Sequence, residues 1–156
     1  MVAVATYFAY GSNMNESRVR ERGLDFTEVG SATMPGYKLA FNKSDKRHAG
    51  EGHANIVRSR DDNARVEGVL YWLDSSLEIL KMDPYEHAPW NYGREAVWVE
   101  TEQWGGVWAW TYFANAAVQQ SGLLPSREYL DHLLAGQAWL TPEYFSRLAS
   151  WPVARS

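Results

Sequence analysis

Two short stretches of this chain hold the residue types from which a reaction site can be built. The first is Tyr7-Phe8-Ala9-Tyr10-Gly11-Ser12-Asn13-Met14. An apolar, aromatic run stops at a glycine and meets two good helix-capping residues, so it reads as a buried strand handing over to a helix. Backbone N–H groups at such a junction lack helical partners and can hold an anion or a developing negative charge. Gly11, Ser12 and Asn13 are the expected donors. The second stretch is Tyr85-Glu86-His87-Ala88-Pro89-Trp90-Asn91-Tyr92-Gly93. Pro84 stops a short helix before it, and the segment fits neither regular helix nor strand. Rings around Glu86 would desolvate its carboxylate and raise its pKa, which suits a proton shuttle near neutral pH. The alternative is an ordinary surface glutamate in a turn.

Other candidates are weaker. His87 is a second acid–base group, an orienting partner for Glu86, or a loop histidine that only packs. His48, Glu51 and His53 match neither H-E-x-x-H nor a Cys/His pattern, so no metal is expected. Ser12 is not in G-x-S-x-G, which leaves it a structural or hydrogen-bonding role rather than a nucleophilic one. Neither G-x-G-x-x-G nor Gly-Lys-Ser/Thr occurs, which argues against a nucleotide. The chain has no cysteine, so thiol catalysis, disulfides and cysteine metal sites are excluded. A net charge of −4 without a basic stripe argues against nucleic acid. No apolar run approaches the roughly 20 residues of a membrane helix, so no membrane partner is expected and the cytoplasm is the expected location.

The elements that must position these residues follow from patterning. With 156 residues, 46% of them apolar, one domain over 1–156 can bury a core. Strands are expected over Val2–Ala9, Phe26–Met34, Tyr37–Phe41, His53–Arg58 and Val66–Leu73, with Gly68 at a bulge or close approach. Asn42–Gly52 reads as an exposed loop. Arg94–Thr101 and Val107–Phe113 form a hairpin around Gly105-Gly106. Asn13 and Glu16 suggest a capping box for a helix over Met14–Glu21, and Ser75 and Glu78 suggest another, for a helix carrying Leu77, Ile79, Leu80 and Met82. Ser126 caps a helix reaching about Gln137, and Thr141-Pro142 starts a last one. Strands first, then helices, indicate an α+β fold with a mainly antiparallel or mixed sheet.

Taken together, these residues resemble the γ-glutamylcyclotransferase family, AIG2-like. Tyr7-Phe8-Ala9-Tyr10-Gly11-Ser12-Asn13 is similar to its signature loop. Met82-Asp83-Pro84-Tyr85-Glu86-His87-Ala88 resembles its "LD-x-x-EG" segment, with His87 in place of the usual glycine and Met82 in place of leucine. Asn91-Tyr92-Gly93-Arg94 and the run from Pro125 to Tyr144 resemble later family segments. The resemblance implies a small mixed β-barrel with flanking helices and a pocket at one end. It implies Glu86 as the catalytic acid–base, and substrate contacts from Tyr92, Tyr129 and Tyr10, the last through its backbone. The implied reaction needs no cofactor and no metal: the α-amine of a small γ-glutamyl compound attacks its own γ-carbonyl, releasing 5-oxoproline and an amine or amino acid. The same chemistry on a γ-glutamylamine or a γ-glutamyl-protected intermediate is the alternative, as is a non-catalytic binder of γ-glutamyl ligands. The oligomeric state has no signature in the sequence.

Overall fold

The core strand expected over Val66–Leu73 becomes β5 (Arg65–Leu73), and a barrel is assembled around it. The computed structural model describes residues 3–155. β1 (Thr6–Ala9) and β2 (Phe26–Pro35) flank β5, both antiparallel to it, with Phe8 opposite Leu70 and Gly30 opposite Leu70 on the other side. β6 (Tyr92–Thr101) and β7 (Gly105–Ala114) form a regular antiparallel hairpin. The order β1-β5-β2-β6-β7 closes into a barrel. The run of buried residues along β1 and β5 explains why neither alternates in polarity: each is covered on both sides.

The closing seam is thin. β1 meets β7 in parallel through a single register pair, Tyr7 opposite Trp110. Side chains complete it: Thr6 Oγ1 donates to the Trp108 carbonyl at 2.5 Å, Thr111 Oγ1 to the Phe8 carbonyl at 2.8 Å, and the Tyr10 hydroxyl to the Tyr112 carbonyl. These bonds satisfy buried carbonyls that a longer ladder would otherwise take.

β3 (Tyr37–Ser44) and β4 (Gly52–Arg58) form a separate hairpin. Here the expected exposed loop over Asn42–Gly52 is corrected. β3 runs on to Ser44, Lys43 pairs with His53, and only 45–51 turn. The chain after β7 lies against this end, with Gln120 N–H donating to the Asn42 carbonyl and Gly52 N–H to the Leu124 carbonyl. That cover is long-range and invisible to local polarity.

Three helices complete the fold: α1 (Glu16–Glu21), α2 (Arg127–Leu134) and α3 (Pro142–Ala149). Ser126 and Thr141 cap α2 and α3 as expected, each accepting from the N–H three residues on. The α1 expectation is corrected by two residues. Ser12–Met14 form a tight 3-10 turn, Met14 N–H bonding the Gly11 carbonyl, and the cap is Asn15, which accepts from Ser17 N–H. Asn13 is thereby turned inward. The helix expected after Ser75 is also a 3-10 turn, Glu78–Lys81. At three residues per turn, Ile79 and Met82 share the buried face. Leu77 and Leu80 are 70% and 50% exposed. β1 is shorter than the expected strand, and Val2 lies outside the described residues.

Gly68 is a close approach. A Cβ there would lie 2.4 Å from the Ala9 carbonyl oxygen and 2.8 Å from the Phe8 ring. Neither backbone nor packed ring can yield cheaply in a dense core. Gly68→Ala is expected to cost about 1–3 kcal/mol and to lower the thermal midpoint by several degrees, measured by calorimetry.

Candidate active site

The 3-10 turn after β1 and the irregular segment after Pro84 meet at one mouth of the barrel. Between them is a narrow cavity of about 30 Å³, lined by Tyr10, Gly11, Ser12, Asn13, Glu86, Tyr92 and Tyr129 among others. These are all seven residues singled out from the sequence. The cavity opens into a groove of about 810 Å³ whose walls also include Ser12, Glu86, Tyr92 and Tyr129.

Glu86 is held from the backbone outward. Its N–H bonds the Met82 and Asp83 carbonyls, both at 3.2 Å, and the turn continues with Ala88 N–H on the Asp83 carbonyl. His87 takes φ of +51°, the left-handed region that glycine adopts most easily. Histidine therefore supplies the same turn despite its Cβ. Its side chain lines the outer groove, not the inner cavity. Asp83 ties the turn to the barrel: Arg94 Nε and Nη2 donate to its two oxygens at 2.9 and 3.3 Å, and the Tyr112 hydroxyl donates to Oδ1 at 2.5 Å. Arg94 itself lies 4.3 Å over the Trp110 ring.

The Glu86 side chain is 17% exposed and reaches Asn13, whose Nδ2 donates to Oε1 at 3.2 Å. The same Nδ2 donates to the Tyr7 hydroxyl at 2.9 Å, and Arg22 Nη1 donates to Asn13 Oδ1 at 3.0 Å. Arg22 Nη1 also stands 4.0 Å from Glu86 Oε1. Burial pushes the Glu86 carboxyl above its ordinary value; the Arg22, Arg18 and Lys43 charges and the Asn13 bond pull it partly back. The carboxylate is thus anchored yet more basic than one in water.

The N–H groups of Gly11, Ser12 and Asn13 donate to no other backbone carbonyl among the described residues. They can take up an anion beside Glu86. The tyrosines are more committed. Tyr92 donates its hydroxyl to the Ala54 carbonyl at 2.8 Å, and the Tyr10 hydroxyl is spent on the barrel seam, which leaves both rings as walls. Tyr129 oxygen instead accepts from Ala54 N–H at 2.9 Å, so its proton remains to give. Burial pushes Tyr129 up to about 12 and Tyr92 well above its ordinary value, which keeps both neutral.

Sequence reasoning missed Tyr7, Arg22, Asp83 and Lys43. The spacing Asp83–Glu86, one tight turn apart, was the available signal for Asp83. Nothing local marked the others. Asp45, His48 and Glu51 do converge, with ligand atoms within 4.8 Å of one another. The turn itself draws them in: Arg47 N–H donates to Asp45 Oδ1 at 2.9 Å, and His48 Nδ1 is 3.1 Å from Asp45 Oδ2.

A closed five-stranded barrel flanked by helices matches the γ-glutamylcyclotransferase-like fold. The chain belongs to the "Gamma-glutamyl cyclotransferase, AIG2-like" family, whose model matches residues 7–131. It is 27% identical over 154 residues to YkqA of Bacillus subtilis, a protein provisionally named as a gamma-glutamylcyclotransferase, covering 91% of this chain and 50% of that one. The chain thus spans about half of that relative's length. Among solved structures, an uncharacterized protein from Homo sapiens superposes with a TM-score of 0.81 at 25% identity, covering 99% of this chain and 92% of that one. A structure described as a gamma-glutamyl cyclotransferase gives a TM-score of 0.80 at 23% identity, covering 97% and 89%. The last likeness concerns the fold.

Because folding raises the Glu86 pKa, its contribution favours the fold at low pH and is lost as pH rises through the folded value. Glu86→Gln keeps the shape and escapes that loss. It is expected to melt higher than wild type at pH 8, with the gap narrowing toward pH 5, in thermal scans at both pH values.

Proposed function

We propose that this chain is a γ-glutamylcyclotransferase-type enzyme that converts a small γ-glutamyl compound to 5-oxoproline and a free amine or amino acid. One observation carries the reading: the Glu86 carboxylate, 3.2 Å from Asn13 Nδ2, shares a narrow cavity with the Gly11–Asn13 turn, whose N–H groups donate to no backbone carbonyl among the described residues. Family membership and the matching fold support it.

In this reading the substrate supplies its own nucleophile. The α-ammonium yields a proton to Glu86, and the freed amine attacks the γ-carbonyl carbon. A carbon–nitrogen bond forms, and the carbonyl oxygen takes the negative charge. The new ring nitrogen loses a second proton, the departing nitrogen gains one, its bond to carbon breaks as the carbonyl re-forms, and the released amine takes up the other proton. A carboxylate raised toward neutrality can accept and return these protons in turn. The N–H groups of Gly11, Ser12 and Asn13 hold the oxyanion or the glutamyl carboxylate, and one such donor is typically worth about 3 kcal/mol of barrier. The ring walls of Tyr10 and Tyr92, with the Tyr129 hydroxyl, hold the flexible chain in its ring-closing pose. Such orientation contributes several kcal/mol, up to about 10 in favourable cases. His87 has no assigned step.

Glu86→Gln is expected to cut 5-oxoproline release by about 10²–10⁴-fold, while the fold is retained by circular dichroism. Wild-type release by that variant would overturn the mechanism. Ligand binding without turnover across a γ-glutamyl panel would select the non-catalytic binder instead. Arg22 holds the Glu86 pKa down, so Arg22→Met is expected to shift the acid limb of the kcat/KM profile to higher pH.

A further inference from the structure

We propose that Lys43 anchors a carboxylate on the departing amine, so that the site selects γ-glutamyl amino acids and peptides over γ-glutamyl amines without an acid group. The inference rests on the reaction proposed above and adds its second subsite. Lys43 is only 8% exposed, yet among the described residues its ammonium has no carboxylate within ion-pair reach and no hydrogen-bond acceptor. The packed surroundings partly desolvate this ammonium, a cost that an arriving carboxylate would offset. Two of the neighbouring charges are already engaged. Asp45 is taken by Arg47 N–H and His48, and Arg22 serves Asn13 and Glu86. His53, the pairing partner of Lys43 in the hairpin, is pushed down to about 4 by burial and by the Lys43 charge, so it is neutral at pH 7.

The division of the site decides which carboxylate. Gly11 and Asn13 line the inner cavity and not the groove; Lys43 lines the groove and not the inner cavity; Glu86 lines both. A glutamyl group with its γ-carbonyl at Glu86 and its α-carbon side in the inner cavity sends the departing group into the groove, toward Lys43. Arg47, exposed on the 45–51 turn, lines the same groove and adds positive potential there.

The experiment compares γ-glutamylalanine with γ-glutamylethylamine, which differ by one carboxylate, through 5-oxoproline release. Wild type is expected to favour γ-glutamylalanine in kcat/KM by about tenfold or more, the usual scale of a charged hydrogen bond. Lys43→Met, which keeps the apolar stem, is expected to bring that ratio to within about threefold of one, since the charged bond is gone. An equal loss on both substrates, with the ratio kept, would assign Lys43 to the glutamyl carboxylate and overturn the proposal. Should the variant fail to fold, the wild-type ratio decides: a value near one overturns the anchor alone. No turnover of either compound by wild type overturns the reaction, and the anchor with it.

Discussion

The site hangs on one asparagine amide. Asn13 is 3% exposed, and both polar atoms of its side chain, with its carbonyl, join it to different parts of the chain. Nδ2 holds Tyr7 on β1 and Glu86 on the irregular turn, Oδ1 receives Arg22 past the end of α1, and its carbonyl accepts the Tyr71 hydroxyl from β5 at 2.6 Å. No other side chain of that size could donate and accept at once in this geometry: aspartate would only accept, and a leucine would leave Glu86 buried without its donor. A carboxylate in an aromatic cavity is held ionisable by what meets it, here the Arg22, Arg18 and Lys43 charges together with this amide.

The barrel is built to present this arrangement. β1 is only four residues long, and it leaves β7 after one register pair, so its chain end is free to turn into the mouth. The hydroxyls of Thr6, Thr111 and Tyr10 hold the seam that the short ladder leaves open. Gly68 lets β1 and β5 approach closely enough to fill the interior beneath the site with Phe8, Leu70 and Tyr71 rather than water. Asp83, Arg94 and Tyr112 brace the opposite wall. Binding chemistry and core packing are therefore the same set of contacts seen from two sides.

Much of this was legible in the residues. The apolar-rich segment Val66–Leu73 was read as a core strand, and the caps at Ser126 and Thr141 were read correctly because capping is local. Glu86 and the Gly11–Asn13 turn were found through their motifs, and they do share a cavity. The misreadings came where distant chain decides local shape. Asn13 looked like a cap because its side chain suits one; only the tertiary partners Tyr7, Tyr71, Arg22 and Glu86 turn it inward. Lys43 looked solvated because its neighbours are polar, and the covering segment lies some 75 residues later, at Gln119–Leu124. Ser75 and Glu78 looked like a capping box, but the segment closes as a 3-10 turn over Glu78–Lys81.

The β3–β4 hairpin stands outside the closed sheet, yet its tip supplies Lys43, Asp45, Arg47 and His53 to the outer groove. None of the inner contacts on Asn13 or Asp83 comes from residues 43–51. The two halves of the mouth can therefore diverge separately. Changes in length or charge at that tip alter what can approach the carboxylate while the barrel and its turn of N–H groups remain intact. A fold divided in this way can keep one reaction centre and acquire new selectivity by exchanging a few residues of a surface hairpin.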